Sequence, residues 1–425
     1  MKSVESTEPG GSAGMTETDT TRPGSPGRLS DFLGLKKSMV GLLAMAVLVG
    51  MGEKMAERFL PIYLVALGGG AISVGLLNGL DNLLSALYSL PGGYLSDRLG
   101  AKRTLVIFNL VAMAGFVLVI AIPTWPAVIG GAFLFISWTA ISLPATMSIV
   151  ARVLPKSKRT MGVSMHAIVR RIPMALGPIV GGLFIGIWGE QSGMRLAFVA
   201  ALAMAMVGLI LQQRLIEDDR PAVTATGPRE SLPAMVSRMN PALKRLLVAD
   251  VLVRFCEQIP YAFVVIWCLK VIAHPITAFQ FGLLTAIEMA TAVLIYVPVA
   301  YLADRSGKKP FVVMTFVFFS LFPVALWFSR SLWVLVLAFI LRGLKEFGEP
   351  TRKALILDLC PADCQAAMFG LYYLIRDSIV AVAAFGGAFL WQIGPAVNLA
   401  AAFLFGVAGT VWFAWRGTDL ELEGP

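Results

Sequence analysis

Residues 91–103 read Pro91-Gly92-Gly93-Tyr94-Leu95-Ser96-Asp97-Arg98-Leu99-Gly100-Ala101-Lys102-Arg103, and the pattern returns 207 positions later as Pro298-x-x-Tyr301-Leu302-x-Asp304-Arg305-x-Gly307-x-Lys309. Two copies of one polar turn at that separation mean that the chain is doubled. The repeat extends outward from the turn. Gly75-Leu76-Leu77-x-x-x-Asp81 recurs as Gly282-Leu283-Leu284-x-x-x-Glu288 at the same offset, and Val47-Leu48-Val49-x-x-x-Glu53 as Val251-Leu252-Val253-x-x-x-Glu257 at 204. Pro144 and Pro350, then Arg170 and Arg376, match at 206. The drift of three residues falls in a longer loop around His274 and Pro275.

The turns are set in apolar sequence. Hydrophobic residues fill 57% of 425 positions and charged ones 14%, against about a quarter charged in soluble domains. Runs such as Thr104 to Ile122 and Phe311 to Phe328 are long enough to cross a hydrocarbon core of about 30 Å. They are continuous rather than alternating, which selects helices over a β-barrel. The expected helices are α1 (38–66), α2 (72–97), α3 (102–122), α4 (126–152), α5 (160–188), α6 (194–214), α7 (243–271), α8 (278–303), α9 (308–328), α10 (331–358), α11 (365–391) and α12 (394–415). The chain therefore reads as an all-α membrane protein, with twelve transmembrane helices in two pseudo-symmetric six-helix bundles. The bundles span 38–215 and 243–416, joined by a polar linker, 216–242, and flanked by tails 1–37 and 417–425. The first tail is rich in Gly, Ser, Thr and Pro, with five basic and five acidic residues, a composition that reads as disordered. It lacks the apolar core and cleavage site of a secretory signal.

A net charge of +9 could serve nucleic acid, but the basic residues mark topology instead. Arg98, Lys102, Arg103, Arg152, Lys156, Lys158, Arg159, Arg214, Arg305, Lys308, Lys309 and Arg416 fall on one side with the linker and tails, while Arg195, Lys270 and Arg330 fall on the other. This bias places both termini and the linker in the cytoplasm. The four cysteines, Cys256, Cys268, Cys360 and Cys364, do not make a disulfide framework or a metal set.

With the motif in Gly93 to Arg103 and its copy at Asp304, the chain resembles the major facilitator superfamily over its whole length after the tail. Only Ala101 departs from the family's run of late basic positions. The resemblance implies a secondary transporter working by alternating access. It also implies that Gly93, Asp97, Arg98 and Gly100, with Asp304 and Arg305, form a cytoplasmic gate, in which Asp97 fastens to the facing half near the start of α11. A carboxylate there would meet the positive end of that helix dipole.

An ionised side chain near the bilayer centre costs about 2.5 to 3.5 kcal/mol, so buried charges must line a wet interior or find partners. Away from their ends, helices α3, α6, α9 and α12 carry none, whereas α1, α2, α5, α7, α8, α10 and α11 hold ten embedded acids and ten embedded bases. In the family, α1, α4, α7 and α10 line the cavity, α2, α5, α8 and α11 flank it, and every third helix faces lipid. The charges obey that division. Helix α4 departs, offering Ser137, Trp138, Thr139, Ser142 and Thr146 but not the embedded basic residue often found there in the family.

Glu53 and Glu57 share one face of α1 as like charges, with Lys54 and Arg58 turned toward another. Their partners are expected partly from other helices, and a static cross-helix salt bridge to Arg254 or Lys345 is the alternative to a role in proton transfer. Adjacent carboxylates oppose each other's ionisation, so Glu53, Glu57 and Asp81 are the expected proton carriers. Asn78, Asn82 or Ser85 could instead cap Asp81, and His166 could extend a relay. Arg254, Glu257, Glu288, Arg342, Lys345, Glu346 and Glu349 are the expected cavity residues. On an unbroken α10 the charges from Arg342 to Lys353 span an arc of about 120°, pairing internally as Arg342/Glu346, Lys345/Glu349 and Glu349/Lys353. On α7, Arg254 would sit between Asp250 and Glu257.

Gly177-Pro178-Ile179-Val180-Gly181-Gly182 on α5 is similar to the tail of the family's antiporter motif, with Ser164 and Pro173 where further glycines would stand. Close helix packing through small residues explains the same run. The reading is a proton-coupled efflux antiporter of a small solute, a monomer in the bilayer of a bacterial inner membrane, with no metal or cofactor and no enzymatic activity. Uptake symport is the alternative, and a non-transporting sensor or scaffold is the alternative of another class. The embedded charges have no net sign, which leaves the solute's charge open.

Overall fold

The computed structural model describes residues 37–136, 138, 142, 146, 149, 159–217, 232–361 and 365–418. Side chains at 86, 88–94, 96, 97, 159–168, 232–234, 296, 297, 300, 301, 303–306 and 365–367 are outside that description. Among the described residues every regular element is helical, and the order is that of two six-helix halves. The single-piece helices are α2 (Ala71–Leu99), α3 (Ala101–Ala121), α5 (Arg159–Trp188), α6 (Glu190–Leu215), α8 (Ala278–Ser306), α9 (Lys309–Phe328), α11 (Gln365–Ile393) and α12 (Pro395–Arg416). Helix α4 is described over Trp125–Phe135, with Trp138, Ser142, Thr146 and Ile149 also helical. A short helix, Leu232–Ser237, lies in the linker. Eight of the described helices are long and apolar enough to cross a membrane, and α7 makes a ninth as a bent pair.

Three expected helices are broken rather than continuous. Helix α1 divides into Lys37–Glu57 and Leu60–Ala66, and α10 into Leu332–Leu344 and Glu349–Leu359. Helix α7 runs as Pro241–Tyr261, then bends by 41° into Phe263–Ile266 and a π-turn, Trp267–Val271. Proline explains the breaks, since it has no N–H to donate. Pro61 withholds the bond due to the Glu57 carbonyl, and Pro350 that due to Glu346; Pro260 sits in the last turn of the longer α7 limb. The freed backbone groups are tolerated because each break is enclosed by protein, not lipid.

The lipid-facing expectation for every third helix fits the exposed apolar side chains, among them Leu110 and Val117 on α3, Val207 and Ile210 on α6, Met314 on α9, and Leu404 and Val411 on α12. Buried polar side chains knit these helices inward. Asn109 of α3 donates to Gln212 of α6 at 2.7 Å and accepts from the Trp138 indole of α4 at 2.8 Å.

The repeated turn has a backbone reason for its glycine. Gly100 and Gly307 both lie at φ 86°, with ψ 153° and 157°, a region open in practice only to glycine. Gly100→Ala or Gly307→Ala should each cost about 1 to 3 kcal/mol, measured as a lowered thermal midpoint of the purified chain. The side chains of Asp97, Asp304 and Arg305, and the first residues of α11, lie outside the described side chains, and so does the expected gate contact of Asp97. Gly93 and Arg98 stand in the last turns of α2, with Arg98 exposed.

We call the end bearing these turns the basic end. The halves meet tightly at the opposite, far end. A Cβ on Gly182 of α5 would lie 2.4 Å from the Ala278 carbonyl of α8, one on Gly282 would lie 2.4 Å from the Pro178 carbonyl, and one on Gly75 of α2 would lie 2.4 Å from Ala388 Cβ of α11. Glycine is what allows each of these approaches. Lys270 and Glu190 add an ion pair between the halves at 3.0 Å, whose exposure limits it to about 0 to 1 kcal/mol.

Candidate functional site

Between the halves lies a cavity of about 450 Å³ lined by Glu57, Arg58, Asp81, Tyr261 and Arg342, with Asn78, Leu77, Ile136, Val264, Val265 and Phe281 among its other walls. Both halves contribute charge to it. A smaller neighbouring space of about 280 Å³ is bounded by Glu257, Arg342, Lys345, Phe319 and Phe322. Arg342 is the wall between the two.

On the first half, Lys54 is the centre. Its ammonium lies 3.3 Å from Glu53 and contacts Glu57 directly. The two acids of α1 share a base from their own helix, and Glu57 also lies within hydrogen-bond reach of Tyr261 on α7. Asp81 is different. It lines the cavity and has no hydrogen bond or ion pair among the described residues. Its expected caps are engaged elsewhere: Asn78 Nδ2 donates to the Gln258 carbonyl at 2.9 Å, and Asn82 Nδ2 to Gln258 Oε1 at 3.2 Å. Arg58 has no acid within ion-pair distance among the described residues; its guanidinium lies over the Tyr261 ring, 5.2 Å from the centroid. Arg342 approaches the same ring at 5.6 Å and Phe322 at 5.0 Å. Two cations from opposite halves thus share one aromatic face group, an attraction worth about 0.5 to 2 kcal/mol each.

The second half is a closed ionic lattice. Glu257 accepts from Arg254 at 2.5 Å and Lys345 at 2.7 Å. Glu288, fully buried, sits 3.3 Å from Arg342 and 3.5 Å from Lys345. Its carboxylate oxygens make no aligned hydrogen bond, so charge alone holds that pair. Deeper toward the basic end, Asp250 contacts Arg352 directly, accepts from the Tyr372 hydroxyl at 3.0 Å and lies 3.4 Å from Arg376. Glu349 binds Arg352 at 2.7 Å, Lys353 at 3.4 Å and Arg254 at 3.6 Å.

These partners correct the in-helix pairing expected on α7 and α10. Arg254 holds Glu257 but not Asp250, which turns to α10 and α11 instead. Of the α10 pairs only Glu349/Lys353 forms, since the break between Leu344 and Glu349 removes the register that Arg342/Glu346 and Lys345/Glu349 require. Glu346 faces the other half, 4.0 Å from Arg171 of α5. Tyr261, Tyr372 and Gln258 carry contacts that the charge pattern did not signal. Tyr261 does stand four residues after Glu257, the spacing that places it on the same helix face. Cys256, Cys268 and Cys360 are buried and form no disulfide among the described residues.

The glycine run on α5 is a packing surface. A Cβ on Gly177 would meet Lys54 Cβ at 2.8 Å and one on Gly181 the Met55 carbonyl at 2.2 Å, both on α1, while Gly182 faces α8. Small residues here bring α5 against the acids of α1 and against the other half at once.

Two like bundles in a membrane, enclosing a charged cavity at their seam and closing on each other through glycine faces, make a solute carrier. Comparison with known proteins agrees. The chain belongs to the Major Facilitator Superfamily, whose profile matches residues 42–274 and 246–423. It is 21% identical over 381 residues to an uncharacterized MFS-type transporter of Methanocaldococcus jannaschii, covering 88% of this chain and 92% of that one. It is 24% identical over 213 residues to the quinolone resistance protein NorA of Staphylococcus aureus, covering 48% and 52%. The fold matches the nucleoside transporter NupG with a TM-score of 0.75 at 15% identity, over 88% of this chain and 99% of that one. It matches the peptide transporter POT with 0.71 at 17%, over 90% and 95%. The protein is a membrane transporter and not an enzyme.

Proposed function

We propose that the chain exports a small solute in exchange for protons, with Asp81 as the group that carries the proton. The observation behind this is the contrast between Asp81 and every other acid of the site. A proton carrier has to lose its charge without stranding a base. Neutral Glu257 would take the nearer acid from Lys345 and from Arg254, neutral Glu349 would take one of the two acids that hold Arg352, and Glu53 and Glu57 share Lys54. Asp81 faces the cavity and strands nothing, so the cost of leaving a buried partner unpaired does not arise. This narrows the three acids expected from sequence to one.

The outward direction is supported by the Gly177–Gly182 run and by likeness to a protein named for quinolone resistance. The positive-inside bias supports a cytoplasmic basic end in a bacterial inner membrane. With the far end packed, the cavity would then be reached from the cytoplasm. One chain supplies both walls of the cavity, so the carrier is proposed to act as a monomer.

The test is reconstitution in proteoliposomes with a pH-sensitive dye and a solute panel. Solute-dependent proton movement should fall at least about tenfold in Asp81→Asn, the scale of losing a positioned proton-transfer group. Solute accumulation driven by inward protons in right-side-out vesicles would overturn export, and unchanged proton flux in Asp81→Asn would overturn the carrier assignment.

A further inference from the structure

The break in α7 exposes backbone that the fold must satisfy. The Ala262 amide turns to the Pro260 carbonyl, so the Gln258 carbonyl loses the donor four residues ahead that a continuous helix would provide. Its donor comes from the other half of the molecule: Asn78 Nδ2 of α2, at 2.9 Å. Asn82, one turn along α2, gives one amide to the Asn78 carbonyl at 2.9 Å and to Gln258 Oε1 at 3.2 Å. The neighbouring carbonyl, Ile259, is served by Asn398 of α12 at 3.2 Å, within its own half. Of these backbone and amide bonds, those to Gln258 cross the seam.

We infer that Gln258, held by Asn78 and Asn82, is the hub of a clasp that keeps the far end closed, and so a positioning residue of the transport cycle. Three features separate it from ordinary packing. First, Asn78 is buried and lines the cavity, while Gly75 and Gly79 behind it pack on Ala388 and Phe385 of α11. The clasp therefore sits where the cavity gives way to the sealed end. Second, its bonds behave as a switch. Apolar contacts between α2 and α11 loosen gradually, but parting these amides in a dry seam leaves a carbonyl and two side chains unsatisfied until water enters. The closed and opened arrangements are then the two low-energy ones. Third, the clasp is asymmetric. In the repeat, Gln258 corresponds to Lys54, Asn78 to Thr285 and Asn82 to Met289. Lys54 is turned to Glu53 and Glu57, and Thr285 donates to its own helix at the Phe281 carbonyl, 3.1 Å away. The symmetric seam between α1 and α8 has no such bridge among the described residues. A feature of one seam only is specific to this chain's cycle and not a consequence of the duplicated fold.

The full-length chain in lipid nanodiscs tests this by hydrogen–deuterium exchange, without solute. In the double variant Asn78→Val, Asn82→Leu, exchange in far-end segments 66–76 and 386–396 should rise about tenfold, the shift that two lost hydrogen bonds allow. Exchange in basic-end segments 98–108 and 306–314 should fall by a similar factor, because a carrier that opens at one end closes at the other. Gln258→Leu should give the same reciprocal change in smaller measure, because it keeps the backbone carbonyl that Asn78 holds. Gln258→Leu also serves if the double variant does not fold. Unchanged exchange at the far end, or loosening there without protection at the basic end, would overturn the clasp and leave these residues a local packing role.

Discussion

Asp250→Ala should leave little folded protein to purify. Asp250 is almost fully buried and is the shared partner of Arg352, Arg376 and the Tyr372 hydroxyl. Arg352 is equally buried. Removing the one acid leaves two guanidiniums and a phenol around an uncharged methyl, and stranding a buried charge costs about 3 to 5 kcal/mol. Arg352 retains Glu349, and Arg376 retains Asp377 at 2.7 Å, so the loss belongs at the lower part of that range for each base. Two bases are affected together. The check is a double-mutant cycle on thermal inactivation of detergent-solubilised protein. Asp250→Ala with Arg352→Leu should recover a large part of the stability lost by Asp250→Ala alone. A double variant as unstable as the sum of the singles would mean that the pair is not the source of the effect.

Adding one methyl group at Gly181 or at Gly182 should give opposite kinds of failure. At Gly181 the new Cβ falls 2.2 Å from the Met55 carbonyl, backbone against backbone inside the first half. Nothing flexible can yield, so α1 and α5 must part, and overpacking of this kind costs about 1 to 3 kcal/mol or more. Gly181→Ala should lower the thermal midpoint and the yield. At Gly182 the Cβ falls 2.4 Å from the Ala278 carbonyl, across the seam. Each half can keep its own packing if the seam opens, so Gly182→Ala should fold and instead disfavour the far-end-closed arrangement. About 1.4 kcal/mol there shifts the populations tenfold, read as faster hydrogen exchange at the far end with a near-normal thermal midpoint. Equal thermal losses in both variants would contradict this division of roles along one glycine run.

The clarity of the fold in the sequence has a simple origin. Hydropathy, the positive turns and the 207-residue repeat report on each segment's own solvent, and lipid permits few answers to that question. The absence of charge from the membrane-embedded middle of α3, α6, α9 and α12 points to their lipid faces without any knowledge of packing. Glycines 100 and 307 could be recognised as special because their repetition at equivalent turns implies a shared backbone demand.

The site was legible only in part. Glu57, Asp81 and Arg342 could be placed in the interior from the cost of leaving them in lipid, and they do line one cavity. Their partners could not be read. Spacing on α1 sets Lys54 on a face neighbouring that of Glu53 and Glu57, yet it binds both, and spacing on α7 offers Asp250 to Arg254, whereas in space it binds Arg352 and Arg376. The prolines that break α1, α7 and α10 were visible, but whether a proline merely bends a membrane helix or divides it depends on what surrounds the freed carbonyls.

By itself the sequence determined that this chain is a duplicated twelve-helix membrane bundle with its charge held away from lipid. Tertiary structure alone decided which charges pair, that Asp81 has no base within ion-pair distance among the described residues, and that Asn78 and Asn82 reach Gln258 across the seam. Burial in lipid is a property of one segment and is written along it. An ion pair or a clasp is a property of two segments, fixed by the axial and angular register that their packing sets, and that register has no counterpart in the spacing along either one.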